Sequence, residues 1–225
     1  MALGGGGFTT SDDPRLDDFV LRLAGRDRPR VCFLATAQGD SPRYVVDFYE
    51  AFRKRCEPSH LELFGRPRPD IRDFLLGQDV VYVGGGNTAN MLAVWRVHGV
   101  DEVLREAWER GIVLAGISAG SICWFEGGTT DSFGDELAPL QCLGFLPGSN
   151  CPHYDSESER RPTYRRLVES GELPAGLAAD DGVGLHFVGV GFDEAVSAQP
   201  SAGAYRVERG EDGAVETAIT VRRLG

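Results

Sequence analysis

Short apolar runs alternate with longer amphipathic segments over most of the chain. The apolar runs have the length of buried strands, and the segments between them repeat apolar residues at helical spacing. The predicted strands cover residues 31–36, 61–64, 80–83, 112–117 and 184–188, and the predicted helices cover residues 16–23, 45–55, 88–97, 103–110, 119–124 and 162–169. This alternation is typical of an α/β domain with a largely parallel sheet.

The pattern changes after about residue 183, where short alternating segments predict strands at 194–198, 204–208 and 216–221. Such strands predict an antiparallel tail on the parallel sheet. The stretches 127–135 and 144–159 are long and irregular, and long loops in compact domains are often functional. No break in composition marks a second domain, so residues 1–225 are predicted to form one domain.

Composition and charge narrow the possible partners. The chain has 34 acidic and 23 basic residues, a formal net charge of −11, and no dense basic stripe, which disfavours nucleic acid as a partner. No segment approaches the roughly 18 to 20 apolar residues of a membrane span, and the N-terminus lacks the features of a signal peptide. We therefore expect a cytoplasmic protein that binds neither nucleic acid nor membranes, and an anionic substrate would need a local cation.

The cysteines and glycine patterns suggest no bound cofactor. The five cysteines form no CxxC pair, and an odd number without metal-ligand spacing favours reduced, structural thiols. Neither a Gly-Lys-Ser/Thr phosphate loop nor a GxGxxG pattern is present. The sequence therefore implies no metal and no organic cofactor.

The sharpest local signal is the segment 114–121, in which an apolar strand runs into Gly-x-Ser-x-Gly and then into a helix. This pattern predicts a nucleophile elbow that exposes the hydroxyl of Ser118. Small residues are needed at Gly116 and Gly120 because the turn is tight, and the amide of Ala119 could donate to an oxyanion. The alternative is a turn in which Ser118 only caps the helix.

A second strand end, at 80–88, carries the three glycines 84–86. Missing side chains would let a substrate oxygen approach main-chain amides. One amide from this turn and that of Ala119 would supply the two donors of an oxyanion hole. The glycine triplet alone is equally compatible with an ordinary turn of a parallel sheet. The other glycine run, at 4–7, receives no chemical role from the sequence.

A serine nucleophile needs a base, and the chain has four histidines. His60, His98 and His186 lie in or beside predicted strands and helices, where a structural role is favoured. His153 follows a proline in a long irregular stretch and is the best placed to reach a site.

A carboxylate behind the histidine would fix its tautomer and stabilise the imidazolium. The candidates are Asp131, Asp155, Asp180 and Asp181. Asp131 would give the chain order Ser, Asp, His, whereas Asp180 or Asp181 would give Ser, His, Asp. Spacing alone does not choose among them.

Four motifs, at 83–88, 116–121, 129–131 and 152–154, together resemble the peptidase E family, the aspartyl dipeptidases related to cyanophycinases. The resemblance spans nearly the whole chain, which differs by a shorter loop after His153 and by an aspartate where the family carries glutamate. It implies a three-layer α/β sandwich similar to class I glutamine amidotransferases, with a Ser-His-acid site in place of a cysteine-based one.

The resemblance also implies catalytic roles. Ser118 would be the nucleophile and His153 the base, with Asp181, which precedes a glycine as the family's acid does, as the third member. The amides of Gly86 and Ala119 would bind the oxyanion.

Substrate contacts follow from the same resemblance. Asn87, Thr130 and Asp131 would lie beside the substrate, with Asp131 able to bind its α-ammonium group. Arg161, with Arg160 as a near alternative, would bind the side-chain carboxylate of an N-terminal aspartate, which suits bidentate guanidinium pairing.

The sequence thus predicts a serine exopeptidase that hydrolyses short peptides, foremost dipeptides beginning with aspartate, through an acyl-enzyme. We expect a small peptide as its substrate and a monomer or homodimer as its state. The alternatives are a serine peptidase or esterase of different specificity, cyanophycin cleavage included, and a non-catalytic protein of the same fold that binds a small peptide or amino acid.

Overall fold

The computed structural model describes residues 1–9 and 13–225 of the chain. Its helices are α1 (Arg15–Leu23), α2 (Pro42–Phe52), α3 (Ile71–Leu76), α4 (Thr88–His98), α5 (Val100–Glu109), α6 (Ala119–Ile122) and α7 (Arg160–Ser170). Its strands are β1 (Ala2–Leu3), β2 (Arg30–Leu34), β3 (Glu57–Leu61), β4 (Val80–Val83), β5 (Val113–Ile117), β6 (Phe125–Thr130), β7 (Ala138–Gln141), β8 (Leu146–Cys151), β9 (Gly176–Ala179), β10 (Val183–Val188), β11 (Gly191–Ser197), β12 (Ala204–Gly210), β13 (Gly213–Ile219) and β14 (Val221–Arg223).

Within the described residues, eight strands form a central sheet in the order β14–β11–β10–β1–β5–β4–β2–β3. Strands β1 to β5 pair in parallel with one another, whereas β10 is antiparallel to both β1 and β11. Alternate residues of β4 serve opposite faces: Val80 and Tyr82 belong to the core that includes α1 and α2, and Val81 and Val83 to the core that includes α4 and α5. The predicted three-layer α/β sandwich with a mostly parallel central sheet is confirmed.

The remaining strands form a second sheet in the order β13–β12–β9–β8–β6–β7, against which α7 packs. Strand β6 overlaps the stretch 127–135 and β8 lies within the stretch 144–159, so the prediction that these stretches are irregular was partly wrong. A Cβ atom on Gly128 of β6 would lie 2.5 Å from the carbonyl oxygen of Asn150. The strand therefore needs glycine, a residue without strand preference, and its sequence carries no strand pattern.

Several strands and helices differ in position from the predicted ones. The strand predicted at 61–64 was misplaced, because the strand there is β3, which ends at Leu61. Pro58 interrupts the strand pattern of β3 in the sequence. The sheet tolerates this proline because β3 lies at its edge. The expected antiparallel pairing of the C-terminal strands is present, although β12 and β13 join the second sheet instead of extending the first. Strand β1 and helix α3 were not predicted.

The parallel strands determine where side chains can converge. The carboxyl ends of β1, β4 and β5 lie side by side, since β1 pairs with β5 and β5 with β4. Loops at this edge are where α/β folds place their ligands. Within the described part of the chain, no helix has both the length and the apolar character that a membrane span requires.

Candidate active site

Ser118 stands at the carboxyl end of β5 in a strained backbone conformation, with φ 56° and ψ −111°. Residues other than glycine rarely adopt this region, and such strain is concentrated at functional sites. A Cβ atom on Gly116 would lie 2.2 Å from the carbonyl oxygen of Gly120, and one on Gly120 would lie 2.4 Å from that of Val83. The prediction that both glycines are needed for the tight turn is therefore confirmed.

The side chain of Ser118 is not used for capping. Ser118 occupies the N-cap position of α6, but its hydroxyl accepts no hydrogen bond from the first turn. Its main-chain N–H donates to the carbonyl of Leu3 on the neighbouring β1 (3.2 Å), which ties the elbow to the sheet. The interpretation of Ser118 as only a helix cap is therefore wrong, and the hydroxyl is available at the wall of a cleft.

His153 follows β8 and also has a left-handed backbone conformation, with φ 55°. Its main-chain N–H donates to the carbonyl of Gly4 (3.0 Å), which holds the strained residue in place. Its Nδ1 lies 2.7 Å from Oδ1 of Asp181, within hydrogen-bond distance. When Nδ1 carries the proton of that bond, Nε2 is left as the basic nitrogen.

Asp181 begins the turn between β9 and β10, and its main-chain N–H donates to the carboxylate of Asp155 (2.9 Å). Burial alone would raise the pKa of Asp181, but the hydrogen bond from His153 and its charge outweigh burial and hold the pKa below its ordinary value. The carboxylate is therefore ionised at neutral pH, as an orienting partner of a histidine should be.

The other candidate carboxylates face elsewhere. Asp180 accepts a hydrogen bond from the main-chain N–H of Gly203 (2.7 Å), and burial raises its pKa. Asp131 is exposed in the loop after β6. Of the four aspartates that spacing alone could not separate, Asp181 is the one bonded to the ring of His153.

The N-terminal glycine run contacts the His153–Asp181 pair. It continues from β1, which brings it to the same sheet edge as Ser118. A Cβ atom on Gly5 would lie 1.8 Å from Oδ1 of Asp181 and 2.9 Å from Nδ1 of His153. The carbonyl of Gly5 also accepts a hydrogen bond from the N–H of Gly182 (2.9 Å). The run therefore gives the pair space that no other residue type would leave.

A cleft of about 330 Å³ contains both Ser118 and His153. Its walls come from the Gly84–Gly86 turn, the 3₁₀ turn Thr36–Gln38 and the start of α2. Gly86 has a φ of 132°, and a Cβ atom there would lie 2.4 Å from the carbonyl oxygen of Ala37. Ala119 is the first residue of α6, so its N–H has no partner within that helix.

The predicted substrate contacts Asn87, Thr130 and Asp131 belong to a hydrogen-bonded loop next to this turn. Asn87 caps α4 by accepting from the N–H of Asn90 (2.8 Å), and its amide donates to the carbonyl of Ser132 (2.9 Å). The hydroxyls of Thr130 and Ser132 lie 2.7 Å apart. Asn87 and Thr130 are thus engaged within the protein, while the carboxylate of Asp131 remains exposed.

The two predicted arginines occupy different environments. Arg161 forms an ion pair with Glu216 of β13, and its guanidinium lies over the rings of Tyr154 and Tyr205 at 5.3 and 4.9 Å. Arg160 is 3% exposed and donates to Glu157 (2.6 Å) and to the carbonyl of Thr129 (2.8 Å). The positive charge of Arg160 also contributes to the lowered pKa of Asp181.

A larger cavity, of about 640 Å³, lies at the amino ends of β1 and β5 and includes Trp108 and His186. His186, Asp193 and Glu194 form a group that could ligate a metal ion. Glu194, however, accepts hydrogen bonds from Nε and Nη2 of Arg222 (2.7 and 2.8 Å), and a bound metal would have to break this pair. Ser118 and His153, the predicted nucleophile and base, line the smaller cleft.

Sequence reasoning missed two features of the site, the glycine run 4–7 and Tyr44. The glycine run 4–7 was visible, but its role depends on a contact with residues some 150 positions away. Tyr44 of α2 lines the cleft beside Ser118, and an amphipathic helix pattern does not distinguish such a tyrosine from a core residue.

Known proteins resemble this chain over its whole length. The sequence matches the model of peptidase family S51 over residues 1–195. It is 50% identical over 227 residues to the uncharacterized peptidase YgaJ of Bacillus subtilis (strain 168), covering 100% of this chain and 98% of that protein.

Two solved structures share the fold. A peptidase from an acI-B1 Actinobacterium superposes with a TM-score of 0.68 at 16% identity, covering 97% of this chain and 92% of the other. A candidate peptidase E from Listeria monocytogenes EGD-e superposes with a TM-score of 0.55 at 17% identity, covering 90% and 93%.

Proposed function

Because this chain belongs to peptidase family S51, we propose that it is a serine exopeptidase that hydrolyses short peptides, foremost dipeptides beginning with aspartate, through an acyl-enzyme. One observation carries the proposal. Ser118, half-buried on a strained elbow, shares a cleft with His153, whose ring is bonded to Asp181 at 2.7 Å. A nucleophile, a base and an orienting carboxylate are the groups that acyl transfer requires.

In the proposed reaction, Nε2 of His153 takes the proton of the Ser118 hydroxyl as its oxygen attacks the peptide carbonyl. The amides of Gly86 and Ala119 would donate to the oxyanion that forms. The imidazolium, stabilised by Asp181, then gives its proton to the leaving amine. Water, activated by His153, releases the acyl group from Ser118 and restores the enzyme.

Recognition of aspartate requires a cation, and the field of a chain with a net charge of −11 opposes an anionic substrate. Arg160 and Arg161 remain the two candidates, and Arg160 has the stronger support. Both arginines already have an acidic partner, so a substrate carboxylate would have to displace Glu216 at Arg161 or Glu157 at Arg160. We favour Arg160 because its charge also acts on Asp181. The exposed carboxylate of Asp131 would bind the free α-ammonium group, which would explain a preference for peptide N-termini.

We expect the wild-type protein to hydrolyse Asp-Leu with a kcat/KM about 10²-fold higher than that for Ala-Leu or Glu-Leu, because only aspartate would present a carboxylate at the right distance for the arginine that binds the substrate side chain, here called the clamp. Release of leucine, measured by chromatography, gives the three values. Absence of Asp-Leu hydrolysis would contradict the dipeptidase proposal, and cleavage of p-nitrophenyl acetate alone would favour an esterase.

The same three dipeptides test which arginine binds the side-chain carboxylate of the substrate. Arg160→Lys keeps the charge but loses the fork geometry, so the ratio of Asp-Leu to Ala-Leu hydrolysis should fall. Arg161→Ala should leave this ratio unchanged, and the opposite pair of results would assign the clamp to Arg161. Because each ratio is taken within one variant, a partly unfolded preparation does not alter it.

Gly5→Ala should lower kcat by about 10²-fold or more while leaving the fold intact, because misplacing a catalytic group by about 1 Å can cost this much. The new methyl group would take the position of the Asp181 carboxylate, which can swing away at little cost in stability. Gly65→Ala is the matched control, since a Cβ atom there meets nothing within 4 Å. Equal activity of the two variants, measured with the Tm of each, would remove the glycine run from the mechanism.

A further inference from the structure

Tyr44 of α2 is fixed firmly at the wall of the Ser118 cleft. Its side chain is 7% exposed, and its ring packs flat against Phe8 (centroids 5.7 Å apart) and edge-on against Phe33 (5.0 Å). A Cβ atom on Gly84 would lie 2.6 Å from Cε1 of this ring. Gly84 therefore lets the ring of Tyr44 approach the end of β4.

The hydroxyl of Tyr44 accepts a hydrogen bond from the main-chain N–H of Gly85 (3.1 Å). Gly85 in turn lies against the nucleophile, since a Cβ atom there would be 3.2 Å from Cβ and 3.7 Å from Oγ of Ser118. The Gly85 amide thus points at the phenol oxygen. Tyr44 and Ser118 line the same cleft.

The phenol retains a proton that it can donate. Its oxygen receives the Gly85 N–H, and among residues 1–9 and 13–225 no acceptor takes the O–H of Tyr44. Burial raises the pKa of Tyr44 to about 12, so the group stays protonated throughout the neutral range. A hydroxyl that accepts one hydrogen bond becomes a stronger donor of its own, because neighbouring hydrogen bonds polarise each other.

We propose that Tyr44 is a further catalytic residue, whose hydroxyl donates a hydrogen bond to the oxyanion formed when Ser118 attacks the substrate carbonyl. The inference rests on the proposed function of the cleft. The Tyr44 hydroxyl accepts a hydrogen bond from the Gly85 amide and donates its own hydrogen in a direction that the amide does not face. It thus adds a third donor to the amides of Gly86 and Ala119. A donor held in place before the reaction needs no reorganisation as charge develops.

The test is the rate at which a fluorophosphonate probe modifies Ser118, because this reaction passes through the same oxyanion position without requiring a peptide of the right sequence. The rate constant is measured by mass spectrometry for wild type, Tyr44→Phe and Tyr49→Phe. Loss of one oxyanion donor typically costs about 10²- to 10³-fold. We expect a loss of about 10- to 100-fold for Tyr44→Phe, since the amides of Gly86 and Ala119 would remain as donors.

Tyr49→Phe is the matched control. Tyr49 lies on the same helix, and its hydroxyl is 3.0 Å from Nδ1 of His60, away from the cleft. It should react at the wild-type rate. A Tyr44→Phe rate within tenfold of wild type, or an equal loss in Tyr49→Phe, would overturn the role of Tyr44 while leaving the nucleophile in place.

Two further readouts separate the proposals. If wild-type Ser118 is not modified at all, both the proposed function and the role of Tyr44 are wrong. For the best dipeptide substrate, Tyr44→Phe should lower kcat with little change in KM, because the interaction exists only in the transition state. A change in Tm with unaltered kcat would show a purely structural tyrosine.

Discussion

Ser118→Ala should lower kcat/KM for Asp-Leu by about 10⁴- to 10⁶-fold, since removing the nucleophile of a serine triad leaves only the contributions of binding and of the oxyanion hole. Folding should be unaffected. The side chain caps no helix, and the strained backbone at this position is maintained by Gly116, Gly120 and the hydrogen bond to Leu3. Hydrolysis is followed by leucine release, and integrity by circular dichroism and Tm.

Ser121→Ala is the matched control for this substitution. Ser121 lies one turn further along α6, is buried, and its hydroxyl donates to the side-chain oxygen of Asn150 (2.9 Å). This variant should lose some stability but keep its kcat once folded. Turnover by Ser118→Ala at more than about a hundredth of the wild-type rate would exclude an acyl-enzyme on Ser118.

Asp181→Asn should lower kcat by about 10⁴-fold, the loss known for the matching change in serine triads. Asparagine preserves the shape but presents an N–H₂ group that favours the wrong histidine tautomer. The lowered pKa of Asp181 supports its pairing with His153, because the hydrogen bond and the charge of His153 lower this pKa against the effect of burial. Steady-state kinetics of the variant with the best dipeptide gives the value.

Asp131→Asn distinguishes this assignment from the other chain order. Asp131 is exposed and lies outside the contacts of His153, so its loss should weaken binding of the α-ammonium group and raise KM more than it lowers kcat. A variant Asp131→Asn with the larger loss of kcat would return the triad to the order Ser, Asp, His.

The sequence predicted the architecture of the central sheet because strongly apolar strands leave a clear pattern. The strand predicted at 80–83 coincides with β4 (Val80–Val83), and the helix predicted at 88–97 differs from α4 by one residue. The second sheet was largely missed, because β6 and β8 contain glycine and polar residues that suit close backbone contacts and leave no period of two.

Candidate groups of the site could likewise be named from local signals. Gly-x-Ser-x-Gly after an apolar run is a local backbone requirement, so Ser118 could be identified without knowledge of the fold. His153 was distinguished among four histidines by its place in the chain, although it stands directly after a strand and not in the middle of a loop.

The sequence by itself therefore determined the α/β class, the elbow and a short list of partners, because each depends on residues close together in the chain. Only the tertiary structure showed the bond between Asp181 and the ring of His153, brought the first glycine run against this pair, and set Tyr44 against the amide of Gly85. These are contacts between segments far apart in sequence. They depend on which strand ends adjoin, and parallel pairing of β1, β4 and β5 is what brings those ends together.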